Sequence, residues 1–229
     1  MPRTAAPPRA DTLIPVTDVL DDATELRRLP PGLWERLRLD PVRAPEHIAL
    51  AASRTFAPQA HEWAESKRAR FDVTPAQLAK MARKRHATLA RFEGAVTGVG
   101  GLLTVLPDVA ALAWIQSRLV FYIAAAYGYD PRDPMRPAEL LVLTGFYPDP
   151  ITARRALDGI GRTMVEAYVG SKFEREEALA KRLAKMVGAS SARHLAVRFI
   201  PGIAIVFNAV SNERRTRALA EKAIAFYGG

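Results

Sequence analysis

The chain has 229 residues, 49% of them hydrophobic and 25% charged, with no cysteine and a net charge of +9. That composition suits a globular domain with a sizeable core, and it excludes disulfides, thiolate metal sites and a cysteine nucleophile. The four histidines (His47, His61, His86 and His194) show no HxxxH or HxH spacing, which weighs against a zinc site.

The N-terminal residues are rich in proline, alanine and arginine and lack the apolar h-region of a secretory signal, so 1–15 read as a disordered tail. From about residue 16 the apolar positions recur with helical period and no β-alternation is seen. Pro30-Pro31, Asp40-Pro41, Thr74-Pro75 and Asp149-Pro150 punctuate the chain. In the last three a capping residue precedes a proline suited to a first helical turn. These breaks predict helices at about 16–28, 32–38, 44–56 and 57–70, a helical extension over 16–72 ahead of a core over 73–229.

The helix from Pro75 to about Glu93 has Leu78, Met81, Ala82, Leu89 and Phe92 to bury and a basic run opposite them. Within that run Lys80, Arg83, Lys84 and Arg85 suit an anionic partner such as a phosphate or a lipid headgroup. Nucleic acid ranks last, because no helix-turn-helix signal or aromatic stacking run accompanies them. Gly94, Gly98, Gly100 and Gly101 follow without the spacing of a nucleotide loop, and close helix packing accounts for them. A sharper reading is an apolar hairpin dipping into a bilayer, with Leu102, Leu103, Val105 and Leu106 at its tip.

Pro107 interrupts the pattern and places Asp108 as the cap of a helix over about 109–127. After Ser171 another helix carries its acids first and its bases last, with a Glu177–Lys181 pair, and ends at Gly188. Leu195 to Val210 is apolar, and an arginine-rich helix over 211–227, with Arg214, Arg215 and Arg217, completes the chain. No run reaches the roughly 18 uninterrupted apolar residues of a spanning helix. The sequence therefore predicts a single compact all-α multi-helix domain with glycine-rich apolar central helices.

Glu93, Asp108, Gln116, Arg118 and Asn208 are polar residues embedded in apolar stretches. Burying an unpaired charge is costly, so each must be paired, wet or functional. One reading is a buried network that fixes helix register. The other is the polar floor of an apolar pocket, where Glu93 and Asp108 would serve as acid, base or metal ligands and Arg118 would hold an anionic head group. Asp21-Asp22-Ala-Thr-Glu25 resembles the aspartate-rich metal motif of class I terpene synthases. Asn208-Ala-Val-Ser211 begins like their second motif, but Arg215 stands where that motif needs a glutamate.

The run His86-Ala-Thr-Leu-Ala-Arg-Phe-Glu-Gly-Ala-Val-Thr-Gly-Val-Gly-Gly, then Leu106-Pro-Asp108, then Ile123-Ala-Ala-Ala-Tyr-Gly-Tyr-Asp130-Pro, resembles the EcsC family of bacterial proteins. The stretch from Phe199 through Asn208 to Tyr227 is similar to that family's ending. The resemblance implies a helical protein with His86, Glu93, Asp108, Asp130 and Asn208 as its characteristic polar positions, and it supplies no reaction.

The resulting expectation is a cytoplasmic protein, peripheral to the inner face of the membrane, that binds anionic headgroups or a small apolar or amphiphilic ligand. His86, Gln116, Arg118 and Asn208 would face the ligand. The alternative is an enzyme acting on an apolar substrate such as a prenyl diphosphate, with Glu93 and Asp108 catalytic. A cofactor, magnesium, follows only under that alternative.

Overall fold

The computed structural model describes residues 29–97, 105–160, 172–188 and 203–229. Among these residues eight α-helices follow one another: α1 (Leu33–Leu39), α2 (Ala44–Arg70), α3 (Pro75–Thr97), α4 (Val105–Ala126), α5 (Arg136–Leu143), α6 (Pro150–Ile160), α7 (Lys172–Met186) and α8 (Ile203–Gly228). A 3-10 turn, Pro41–Arg43, joins α1 to α2, and no strand occurs among the described residues. The all-α expectation is met. The expected tail and the helix at 16–28 lie outside the described residues, as do Gly98, Gly100, Gly101, Leu102 and Leu103.

Local chemistry accounts for several helix starts. At α3, Thr74 N–H donates to Gln77 Oε1 (2.8 Å) and Gln77 N–H donates back to Thr74 Oγ1 (3.3 Å), a reciprocal capping box. At α6, Asp149 Oδ1 accepts from Thr152 N–H at 2.9 Å, ahead of Pro150 in the first turn. Asp40 behaves differently. It makes no cap, and its Oδ2 lies 3.0 Å from His47 Nε2 instead.

Two expected boundaries are wrong. The helices at 44–56 and 57–70 are one helix, α2, with Pro58 inside it. An interior proline removes a hydrogen bond and costs about 3 kcal/mol, but here Phe56, Ala57, Ala60 and Ala64 continue one buried stripe through the break. Likewise α4 starts at Val105, ahead of Pro107, so Asp108 lies within its first turn and does not cap it. Proline is tolerated there because first-turn N–H groups have no helical partner, and the carboxylate complements the helix dipole.

Helix α4 is the centre of the bundle and packs against α2, α3, α7 and α8. Its segment Leu106–Ala126 is long and apolar enough to cross a membrane by length and composition, yet 94% of its most apolar window is buried inside the protein. Leu106 itself is partly buried against the core, and Val105 belongs to the first turn of the same helix.

Side-chain pairs set the helix directions. Phe56 meets Trp114 (4.5 Å between ring centres) and Trp63 meets Tyr122 (5.1 Å), so α2 and α4 run parallel. Arg83 pairs with Glu221 and Arg91 with Glu213 (3.9 Å), so α3 and α8 run antiparallel.

The far end of α4 is closed with care. Gly128, at φ +88°, gives its N–H to Ala125 O (3.1 Å) while Tyr129 N–H reaches Ala124 O (3.1 Å), a Schellman ending that needs the left-handed conformation. Arg68 reaches across from α2 and donates through Nη2 to Ala125 O (2.7 Å) and Ala126 O (3.2 Å), placing its charge on the negative end of the dipole. Gly228 approaches so closely that an added Cβ would lie 2.8 Å from Tyr127 Cζ.

Replacing Arg68 with methionine should therefore lower the unfolding free energy by about 1–2 kcal/mol in urea titrations, as a hydrogen bond to a charged donor does. Arg70→Met, at the exposed last residue of the same helix, should leave the midpoint unchanged. Equal midpoints for the two variants would contradict the capping role.

Candidate functional site

The polar residues flagged in the sequence fall into two places. His86, on α3, is completely buried. Its Nδ1 lies 2.8 Å from Ala82 O, and a carbonyl only accepts, so the proton sits on Nδ1. The other nitrogen, Nε2, is a buried acceptor with no hydrogen-bond partner among the described residues. The ring meets Tyr122 edge-on at 5.1 Å.

Arg118, buried on α4, donates through Nη2 to Tyr122 Oη at 2.9 Å. Its guanidinium lies over the Tyr122 ring at 4.8 Å and over the Phe56 ring at 5.8 Å, a cation–π arrangement between α2 and α4. Burial, and next the neighbouring Arg118 charge, hold the His86 pKa well below the ordinary histidine value, so His86 is neutral in the core. Gln116 does not join this layer. It turns toward α8 and donates through Nε2 to Thr216 Oγ1 at 3.3 Å.

Asp108 is half-buried at the other end of α4. Glu93 lies on α3 and Asn208 on α8, and the side chains of both are outside the described residues. The Gln116–Thr216 pair sets an offset of 100 between two helices that run parallel, which puts position 208 level with position 108. The backbone thus brings those two flagged positions to one level of the bundle, apart from the His86–Arg118 layer. Among the described residues no group of three or more acidic or histidine side chains is placed to hold a metal ion. A surface groove lined by Trp34, Arg38, Leu39, Arg175 and Leu179 contains none of the flagged residues.

Sequence reasoning missed a second buried network. Arg136, at the start of α5, donates to Glu139 Oε2 (2.5 Å) and to Asp133 Oδ2 (3.2 Å), and Tyr227 Oη donates to the same Glu139 oxygen at 2.6 Å. The Arg136 guanidinium also lies over Tyr129 (5.1 Å) and Tyr227 (5.7 Å). Burial raises the Glu139 pKa against the opposing hydrogen bond from Tyr227, and burial followed by the Glu139 charge raises that of Tyr227. The signal was present in part, since Arg136 and Glu139 stand among prolines, alanines and leucines as the other embedded charges do. Tyr227 is 88 residues from Glu139 and could not be paired with it from spacing. Asp130, by contrast, is exposed and bonds locally to Arg132 N–H and Nε, each at 3.0 Å, and those bonds lower its pKa.

The basic run forms part of a larger face. Helix α3 carries five basic residues against one acid and α8 four against two, so this packed pair holds six of the chain's nine net positive charges. Of the four candidates, Lys80 and Lys84 are exposed on one strip of α3, and Arg85 is half-buried. Arg83 forms the ion pair with Glu221 that ties α3 to α8. Arg217 pairs with Glu213 at 2.8 Å. Glu213 and Glu221 are therefore matched, while Lys80, Lys84, Arg214 and Lys222 are exposed.

Comparison with known proteins gives the family. The profile of the EcsC protein family matches residues 46–228, from early in α2 to the end of α8, and the chain belongs to that family. A Bacillus subtilis (strain 168) protein described as uncharacterized protein YdbA is 37% identical over 57 residues, covering 25% of this chain and 21% of that relative. The matched part is thus about a fifth of the relative's length. No solved structure matches.

The buried, neutral His86 has a pH consequence. Its folded pKa is depressed below the unfolded value of about 6.5, so the folded chain binds fewer protons and stability falls as pH drops below that value. His86→Phe, which keeps an aromatic ring, should lose less stability than the parent between neutral pH and about pH 5 in urea titrations. Parallel losses in the two proteins would show that His86 contributes nothing to acid sensitivity.

Proposed function

We propose that this EcsC-family chain is a peripheral membrane protein whose α3–α8 outer face binds anionic lipid headgroups on the cytoplasmic side. One observation carries the reading: two long packed helices concentrate the net charge, and ion pairs engage Glu213 and Glu221 of α8. What remains outward is Lys80, Lys84, Arg214 and Lys222 on a broad surface. Basic side chains near an anionic leaflet contribute about 1 kcal/mol each, and the contribution is screened within a Debye length. A face with several such residues gives reversible association that salt weakens.

The buried layer has a supporting part in this reading. His86, Arg118 and Tyr122 hold α3 on α4, and Gln116–Thr216 holds α8 on α4, so the two basic helices are presented in fixed register.

The parent protein should float with phosphatidylglycerol-containing vesicles at low salt, much less at high salt, and not with phosphatidylcholine alone. Replacing Lys80, Lys84, Arg214 and Lys222 together by glutamate should abolish flotation while the helical circular dichroism is retained. Arg83 is left intact in that variant because its loss would open the α3–α8 seam. Undiminished flotation of the folded variant would overturn the proposal.

A further inference from the structure

The end of the bundle where α2, α4 and α8 finish and α3 begins differs from the rest of the surface. Arg68 fastens the end of α2 to the last carbonyls of α4. Gly228 lies against Tyr127, and the Arg83–Glu221 pair brings the start of α3 beside the end of α8. Two large rings are left in solvent there, Tyr129 and Phe226, each 43% exposed.

Both rings lean on Tyr227, Phe226 at 5.0 Å and Tyr129 at 5.2 Å. Tyr227 is buried and fixed by its bond to Glu139, so the exposed rings stand on a rigid base. Exposed basic residues belong to the same end. Lys222 lies one turn before Phe226 on the same face of α8, Arg70 is the last residue of α2 and Lys80 lies in the second turn of α3, all three exposed. Lys67 lies over the Phe71 ring at 5.4 Å. Exposed aromatic rings among cations match the headgroup level of an anionic bilayer, where a ring has both apolar and polar neighbours.

We infer that Phe226 and Tyr129 are the interfacial anchors of this protein, seating this end of the bundle among the headgroups of an anionic phospholipid bilayer. The inference rests on the membrane reading above and adds to it an orientation and an apolar, salt-resistant component.

The chain has no cysteine, so one introduced thiol reports a single position. An environment-sensitive fluorophore on Ala225→Cys, exposed beside Phe226, should brighten severalfold and shift to the blue with phosphatidylglycerol-containing vesicles. The same label on Leu39→Cys, 66% exposed at the opposite end of the bundle, should not change. In the full-length protein Phe226→Ser should reduce severalfold the vesicle-bound fraction that survives raised salt.

Flotation without any change at position 225, or with the change at position 39, would overturn the anchor and leave headgroup binding standing. Brightening at 225 that grows with protein concentration and needs no vesicles would mean that a second copy covers this end, which also overturns it. Failure of the parent to float at all would remove the membrane reading and the anchor together.

Discussion

Helix α4 must be covered on every side, and that requirement organises the molecule. A helix apolar around its circumference cannot face water, so α2, α3, α7 and α8 surround it. Inside this shell the chain has also placed a guanidinium, Arg118. Its burial is tolerable because Tyr122 accepts a hydrogen bond from it and two aromatic faces lie against it. Tyr122 then receives the edge of His86 from α3, so one cation engages residues from three helices.

Charges that enter the interior are used up there. Arg136 is spent on Asp133 and Glu139, and Arg68 on the end of α4. Glu213 and Glu221 of α8 are matched in the same way, but the basic residues of α3 and α8 outnumber the acids, and Lys80, Lys84, Arg214 and Lys222 remain exposed. The asymmetry of the surface thus follows from the packing. Every helix that covers α4 turns its apolar stripe inward, and in α3 and α8 the opposite stripe is cationic. Under the proposed function the buried layer sets register and the outer face meets lipid, so the polar residues in the core need no reaction of their own.

Much of this was legible in the sequence. Helical periodicity, the Thr74 and Asp149 caps, the Gly188 stop and the Glu177–Lys181 pair (2.6 Å) all depend on neighbours within a few positions, and the structure contains them. The division between 44–56 and 57–70 fails because a buried stripe continues past Pro58, and such a stripe depends on what packs against the helix. Asp108 misled for a different reason, since a proline reads as a break although a first helical turn accepts it. The embedded polar residues were recognised as unusual, but their grouping was not readable. Gln116 and Arg118 are two positions apart and face different helices, whereas Glu139 and Tyr227 meet across most of the second half of the chain. Direction around a helix can be read from spacing, but which helix stands there cannot.

The most direct test of the account uses the unmodified protein. Lysine acylation footprinting by mass spectrometry, with and without phosphatidylglycerol-containing vesicles, reads each exposed amine separately. The account requires Lys80, Lys84 and Lys222 to become protected together on the outer face of α3 and α8, while Lys181 on α7, with a side chain 74% exposed, stays reactive. Protection of Lys181 with Lys80 and Lys84 unchanged, despite vesicle binding, would place the lipid on another face and contradict it.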